Sequence, residues 1–269
     1  MPRRVNPCDN PMTPTIVPHM HPPAAQALPL IGVLGGMGPA ATADFYRKLV
    51  ELTPAERDQD HLPLLIRAVP QIADRAASIL EGAPSPEPQL VSGARWLQAS
   101  GAALVVMPCN TAHLWHAPIQ QALQVPMLHI VDAVLDEVRR RFAGEGLLRL
   151  GLLATTATVR CALYPNRAAA SNAAGRRAIS WLAPDDEHQS AWVDAGIRAV
   201  KARDLVLAQQ LLGAAAKQLI GQGADALVLA CTEVPLALGP QAVPLLDSTS
   251  LLAEATLRWA GMDVSPQAY

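Results

Sequence analysis

The sequence predicts an α/β fold made of two related halves, each a parallel sheet joined by crossover helices. Three observations predict it. Short apolar bursts of strand character alternate with helix-period segments from Leu30 onward. Landmarks of the first half recur in the same order in the second, at nearly one offset. Finally, 51% hydrophobic and 16% charged residues in a chain of 269 fit one large α/β domain or two small ones, and exclude disorder of the whole chain.

Taken in order, Leu30–Leu34 reads as a buried strand ending in the turn Gly35-Gly36-Met37-Gly38-Pro39. A helix from Ala40 to about Leu52 follows, and Pro39 suits its first position because a missing N–H costs nothing there. His61–Val69 reads as the second strand, Pro84–Pro88 as a loop and Leu90–Ser100 as a helix. Ala102–Met107 is the third strand and delivers Pro108-Cys109-Asn110-Thr111 at its carboxyl end. The alternation continues to a last helix over about Ser250–Ala260, expected to return to the first half.

The internal repeat sharpens this. Gly32-Val-Leu-Gly-Gly-Met37 resembles Gly151-Leu-Leu-Ala-Thr-Thr156 at an offset of 119 (151 − 32). Gly101 precedes Cys109 by eight residues, as Gly223 precedes Cys231, at an offset of 122 (231 − 109). Val125-Pro-Met-Leu128 resembles Val243-Pro-Leu-Leu246 at an offset of 118 (243 − 125). The repeat places a second domain over residues 131–245, with residues 29–130 and 246–269 forming the first. Residues 1–28 hold seven of the 24 prolines, show no period and lack a secretory apolar core; they read as a disordered extension or as an upstream start codon. Cys8, His19 and His21 go with that tail.

A net charge of −2 without basic clusters argues against a nucleic-acid binder, and no apolar run approaches the ~18 residues of a spanning helix. The expectation is a soluble protein that engages neither nucleic acid nor membrane. Four scattered cysteines make neither a disulfide framework nor a Cys-x-x-Cys zinc site, which suits a reducing, cytoplasmic setting.

In open parallel sheets ligands bind beyond the carboxyl ends of the strands. Cys109 and Cys231 both stand there, so halves packed face to face would aim two thiols into one cleft. A helix N-terminus is expected to lower each thiol's pKa from ~8.5. Two opposed thiols suit a two-base reaction, in which one removes a proton from carbon and the other returns one to the opposite face. Either cysteine alone would read as a small core residue; their equivalent placement beside Asn110-Thr111 and Thr232-Glu233 favours chemistry. Cys161 has no repeat partner and reads as packing.

Gly35-Gly-Met-Gly-Pro-Ala-Ala-Thr42, Asp58-Gln-Asp-His61, Pro70-Gln71 with Asp74-Arg75, Met107-Pro-Cys-Asn-Thr-Ala-His113 and Ala230-Cys-Thr-Glu233 together resemble the aspartate/glutamate racemase family, and its aspartate racemases above all. The resemblance covers roughly residues 30–260. It implies two Rossmann-like domains related by pseudo-twofold symmetry, an active site in the cleft between them, no cofactor, a small acidic amino acid as substrate and a homodimer. It further implies Cys109 and Cys231 as catalytic thiols, Asn110, Thr111 and Ala112 as donors beside the first, and Thr232 and Glu233 beside the second. By the same resemblance Arg75 holds the substrate's side-chain carboxylate and Lys201 contacts substrate from the second domain. Departures stand at Ala76, usually threonine, and at Ala157 and Ala230, usually glycine.

Elementary chemistry agrees with those roles. Removing an α-proton from an amino acid adds negative charge beside a carboxylate, so fixed donors are needed. The backbone around Gly36-Met37-Gly38 can form such a nest, joined by the hydroxyls of Thr155 and Thr156. Arg75 offers a planar fork for a second carboxylate.

Rival readings are weaker. Gly36-Met-Gly-Pro-Ala-Ala41 fits a dinucleotide turn, but the second strand ends in Val69-Pro-Gln71 with no acid to hold a ribose. A metal on Cys109, His113 and His116 lacks a carboxylate behind it; His113 is expected to hydrogen-bond near the loop and His116 to be exposed. Hydantoin racemase, maleate isomerase and arylmalonate decarboxylase share the paired-half scaffold, and a silent amino-acid-binding relative is the alternative of another class. Retention of both thiols argues against the last.

Overall fold

The computed structural model describes residues 28–170 and 177–264. Nearly all of the expected N-terminal extension, with Cys8, His19 and His21, lies outside the described residues. The first half runs β1 (Ile31–Gly35), α1 (Pro39–Leu52), β2 (Leu64–Ala68), α2 (Arg75–Leu80), α3 (Glu87–Ala99), β3 (Leu104–Val106) and α4 (His116–Gln121). Then follow α5 (Ile130–Arg141), β4 (Leu147–Leu153), α6 (Thr156–Arg160), α7 (Leu163–Ala170), β5 (Ala178–Leu182), α8 (Asp186–His188), α9 (Ala195–Lys201), α10 (Leu205–Gly221), β6 (Ala226–Leu229), β7 (Leu245–Asp247) and α11 (Ser248–Trp259).

Of the boundaries that differ from expectation, two shift through proline. The second strand starts only at Leu64, because Pro63 cannot donate to a ladder; its carbonyl still accepts from Ile31 N–H at 3.0 Å. Helix α3 starts at Glu87 and absorbs Pro88 in its first turn, where no donor is needed, so Pro88 is helical and not part of a loop.

Two all-parallel sheets result, ordered β2-β1-β3 and β5-β4-β6-β7. A parallel bridge from Val105 to Met127 extends the first sheet beside β3, where β7 lies beside β6 in the second. The likeness reaches single hydrogen bonds. Val105 N–H meets Pro126 O at 3.0 Å and Leu227 N–H meets Pro244 O at 2.9 Å; Ala102 N–H meets Leu97 O and Ala224 N–H meets Leu219 O, both at 3.1 Å. The matched Gly32 and Gly151 mark where a helix presses on the central strand. A Cβ on Gly32 would lie 3.0 Å from Leu97 Cβ, and one on Gly151 would lie 3.2 Å from Leu219 Cβ. Gly101 and Gly223 turn the chain into the third strand of each half with φ of +96° and +87°, a region that glycine enters freely.

Alternate strand residues point to opposite faces, and both faces are buried. Ile31, Val33, Leu104 and Val106 meet Leu148, Leu150, Leu152 and Val228 in one core shared with α5, α7 and α11. Leu34, Val105 and Met107 face α3 on one outer side; Leu153, Leu227 and Leu229 face α9 and α10 on the other. Helix α11 follows β7 of the second sheet and packs on α1 and α5, where Lys48 Nζ reaches Asp247 Oδ2 at 2.6 Å. Among the described residues no helix is long and apolar enough to cross a membrane.

Candidate active site

Each sheet's third strand ends in a cysteine loop. Cys109 follows β3 and Cys231 follows β6; each is 6% exposed. Cys231 Sγ donates to Glu233 Oε2 at 3.0 Å, and Thr232 Oγ1 reaches the same oxygen at 3.4 Å. Glu233 is itself buried, and a Cβ on Gly38 would lie 3.0 Å from its Oε1. The glycine turn after β1 thus abuts the loop after β6, across the two halves. At the other loop the backbone N–H of Ala112 favours the Cys109 thiolate.

The two thiols share charged neighbours. The charges of Glu233 and Lys201 act on both, and that of Arg75 acts on Cys109. Burial pushes the Cys109 thiol up, against the pull of Arg75, the Ala112 N–H and Lys201. Cys231 is raised well above the ordinary thiol value, first by burial and then by the Glu233 carboxylate. This corrects the expectation of lowered thiol pKa values. The segments after the cysteines are short 3-10 turns, Thr111–Trp115 and Val234–Leu236, too short to sum a helix dipole against the loss of water.

Asn110 is 1% exposed; its Nδ2 donates to Ser248 Oγ at 2.9 Å and its Oδ1 accepts from Tyr164 OH at 2.7 Å. Thr111, Thr155 and Thr158 form a triangle of hydroxyls with 3.0 Å sides, tying the Cys109 loop to the start of α6. Ala112 and Met37 are buried in the apolar cluster that contains Cys109, so backbone is what either can offer a ligand. The nest loses one donor, since Gly36 N–H bonds Thr42 Oγ1 at 2.8 Å. Thr156 is likewise not available: its N–H and hydroxyl both go to Asp194, which fastens α6 to the turn before α9.

Arg75 opens α2, which packs on α6 and the Thr111–Trp115 turn. Its Nη1 donates to Ile72 O at 3.3 Å and Ala73 O at 3.2 Å, while its buried Nε has no protein partner. Lys201 ends α9 and is exposed, and its charge also acts on Asp74.

His113, His116 and His129 cluster beside the Cys109 loop with ring centroids 4.7–5.9 Å apart, His113 and His116 parallel and His129 tilted against both. His113 Nδ1 meets Cys109 O at 2.9 Å, and burial lowers its pKa to about 3. His116 is half-buried and not exposed, because Met127 O holds its Nε2 at 3.0 Å. Among the described residues no group of three His, Cys, Asp or Glu could hold a metal ion. A cavity of about 640 Å³ between α5, α7 and β5 touches neither thiol and has mostly apolar walls such as Leu135, Phe142 and Trp181, so the loops remain the place for chemistry. Sequence reasoning missed Tyr164 and Ser248. Only Ser248 had a signal, its place at the carboxyl end of a parallel strand.

With this geometry in view, the model of the Asp/Glu/hydantoin racemase family matches residues 34–256. A Bacillus subtilis (strain 168) protein described as the broad specificity amino-acid racemase RacX is 30% identical over 239 residues, spanning 85% of this chain and 96% of that one. The chain belongs to the Asp/Glu/hydantoin racemase family. It is therefore an isomerase, a racemase. The solved aspartate racemase of Picrophilus torridus is similar in structure, with a TM-score of 0.75 and 30% identity over 88% of this chain and 96% of that one. A homologue of aspartate racemase from Pyrococcus horikoshii OT3 shares the fold, with a TM-score of 0.67 at 24% identity over 86% of this chain and 98% of that one. Two Rossmann-like parallel-sheet units are thus the architecture of this chain and of its family.

Proposed function

We infer that this racemase interconverts the L and D forms of a small acidic amino acid, aspartate first and glutamate second, without pyridoxal phosphate or metal. The observation that carries this reading is the pair of repeat-equivalent thiols at the carboxyl ends of two matched strands, acted on by the same Glu233 and Lys201 charges. In this reading the cleft lies between residues 29–130 with 246–269 and residues 131–245, and two copies form the working dimer.

The unequal surroundings of the thiols give them starting roles. Cys109, whose thiolate is favoured by the Arg75 charge and the Ala112 N–H, begins as the base and takes the α-proton. Cys231, whose proton rests toward Glu233, begins as the acid and delivers a proton to the opposite face of the carbanion. The reverse reaction exchanges the roles. Arg75 receives the side-chain carboxylate through its fork, and Thr155, Lys201 and the backbone beside Met37 and Thr111 surround the rest of the substrate.

A broader amino-acid range is the second reading. It is favoured by the 30% identity to RacX and by an Arg75 fork already half engaged by the carbonyls of its own loop. Chiral chromatography of purified protein incubated with each enantiomer of aspartate, glutamate, asparagine and alanine tests both. Racemisation of aspartate and glutamate alone supports the first reading, comparable rates on all four support the second, and turnover of none overturns both.

A further inference from the structure

The Asn110 side chain belongs to a chain of hydrogen bonds that joins the two thiol loops. Tyr164 O–H donates to Asn110 Oδ1 at 2.7 Å, Asn110 Nδ2 donates to Ser248 Oγ at 2.9 Å, and Ser248 O–H donates to Leu229 O at 2.7 Å. The single proton of the serine hydroxyl is committed to Leu229, so the amide must be the donor, and Tyr164 satisfies its oxygen from the other side. The direction of the whole chain is thereby fixed. Asn110 directly follows Cys109, and Leu229 stands two residues before Cys231. Asn110 is 1% exposed and Ser248 and Tyr164 are 0% exposed, so no water competes for these bonds.

We propose that Ser248 is a positioning residue for racemisation: its hydroxyl, gripping Asn110 and the Leu229 carbonyl together, sets the spacing of Cys109 and Cys231 across the substrate's α-carbon. The inference rests on the two-thiol reading above and adds a part to it. A two-base inversion needs both sulfurs within reach of one carbon from opposite faces. Elsewhere the halves meet through apolar packing, which lacks direction, through the Lys48–Asp247 ion pair, and through the hydroxyls of Thr111, Thr155 and Thr158, which anchor the Cys109 loop but not that of Cys231; this brace ends within two residues of each thiol. The two halves also differ at this point. The carbonyl of Met107, which precedes Cys109 as Leu229 precedes Cys231, accepts from Cys109 N–H at 2.8 Å, while that of Leu229 accepts from Ser248.

The test follows the fate of the α-hydrogen in D2O. With correct spacing, the proton leaving one thiol's face is replaced from the other thiol, so deuterium enters the product enantiomer. With the second sulfur displaced, the carbanion survives long enough for the thiol that took the α-proton to exchange it with D2O, and that thiol then returns a deuteron to the face the proton left, so deuterium enters recovered substrate. Ser248→Ala should lower kcat for inversion by roughly 10- to 100-fold, the scale of an ångström-level misplacement, with KM changed less than about threefold. The ratio of exchange to inversion should rise by about tenfold on the same grounds. Tyr164→Phe removes only the hydroxyl that steadies Asn110 and should move the ratio the same way by less; it decides the matter if Ser248→Ala does not fold. Equal loss of exchange and inversion, or an unchanged kcat, would overturn the inference and leave Ser248 as a satisfied core hydroxyl. A wild-type protein that neither inverts nor exchanges any amino acid would overturn the two-thiol reading itself.

Discussion

The loop of Cys109 and the loop of Cys231 hold the same place in the repeat and have unequal electrical surroundings. Both follow the third strand of a parallel sheet, eight residues after a glycine with positive φ. Around Cys109 stand the Arg75 charge, the Ala112 N–H and a cluster of neutral imidazoles; against Cys231 stands the buried Glu233 carboxylate. Matched backbones thus place a thiol at the same point of each half, and in the proposed mechanism a few side chains make Cys109 the readier base and Cys231 the readier acid.

The hardest blow to this comparison is removal of either sulfur. Cys109→Ala and Cys231→Ala should each lower kcat for racemisation by roughly 10²- to 10⁴-fold, the range of a lost general acid or base. The double variant should be little worse than either single one, because the two act as a unit. Circular dichroism should report an intact fold in all three, and a single variant retaining most activity would refute the mechanism.

The cationic side of the contrast is tested at Arg75. Arg75→Ala leaves a substrate carboxylate unpaired, at a cost of ~2–5 kcal/mol for a buried pair, so kcat/KM for aspartate should fall roughly 30-fold to several thousand-fold. Alanine and asparagine lack that charge, and any turnover of them should change far less. Equal losses on charged and neutral substrates would make Arg75 structural.

The anionic side is sharpened at Glu233. Burial and the carboxylate both hold the Cys231 proton on sulfur, so the alkaline limb of the kcat profile should lie above the ordinary thiol range. Glu233→Gln removes the charge and should bring that limb down, with a change in kcat of about tenfold or less at neutral pH. A limb that stays in place would detach Glu233 from the thiol's proton.

The smallest effect is thermodynamic and confined to the Cys109 side. Burial depresses the pKa of His113 to about 3 and lowers those of His116 and His129. A depressed histidine pKa means that the unfolded chain binds the proton first. The stability these groups contribute is therefore complete above ~6.5 and is lost as the pH falls toward the folded values. Urea titrations between pH 7 and 4 should show stability declining with acid, and His113→Gln should flatten the slope by up to about 1.4 kcal/mol per pH unit. An unchanged slope would mean that His113 is protonated in the folded protein.

The repeat was legible because it needs only spacing: counting from Gly101 to Cys109 and from Gly223 to Cys231 is enough to put both loops at strand ends. What the loops contact was not. Tyr164 and Ser248 lie 54 and 138 residues from Asn110, and no local pattern announces a partner at that distance. The direction of the thiol shifts was hidden for the same reason. A strand end followed by polar residues reads as a helix N-terminus, whereas desolvation depends on everything packed around it. Thr156 misleads in a third way, since its side chain is interchangeable in sequence with that of Thr155 but turns to Asp194.

The core shared by Ile31 and Val33 of one sheet, Leu150 and Leu152 of the other, and α5, α7 and α11 between them has a mechanical consequence. Swinging the sheets apart would bring this apolar surface into water, at about 25 cal/mol per Å² exposed. The hinge-bending route by which many two-lobed proteins admit a ligand is therefore expensive here. Passage to the thiols falls instead to the loops that rim them, and the halves should melt in one cooperative transition.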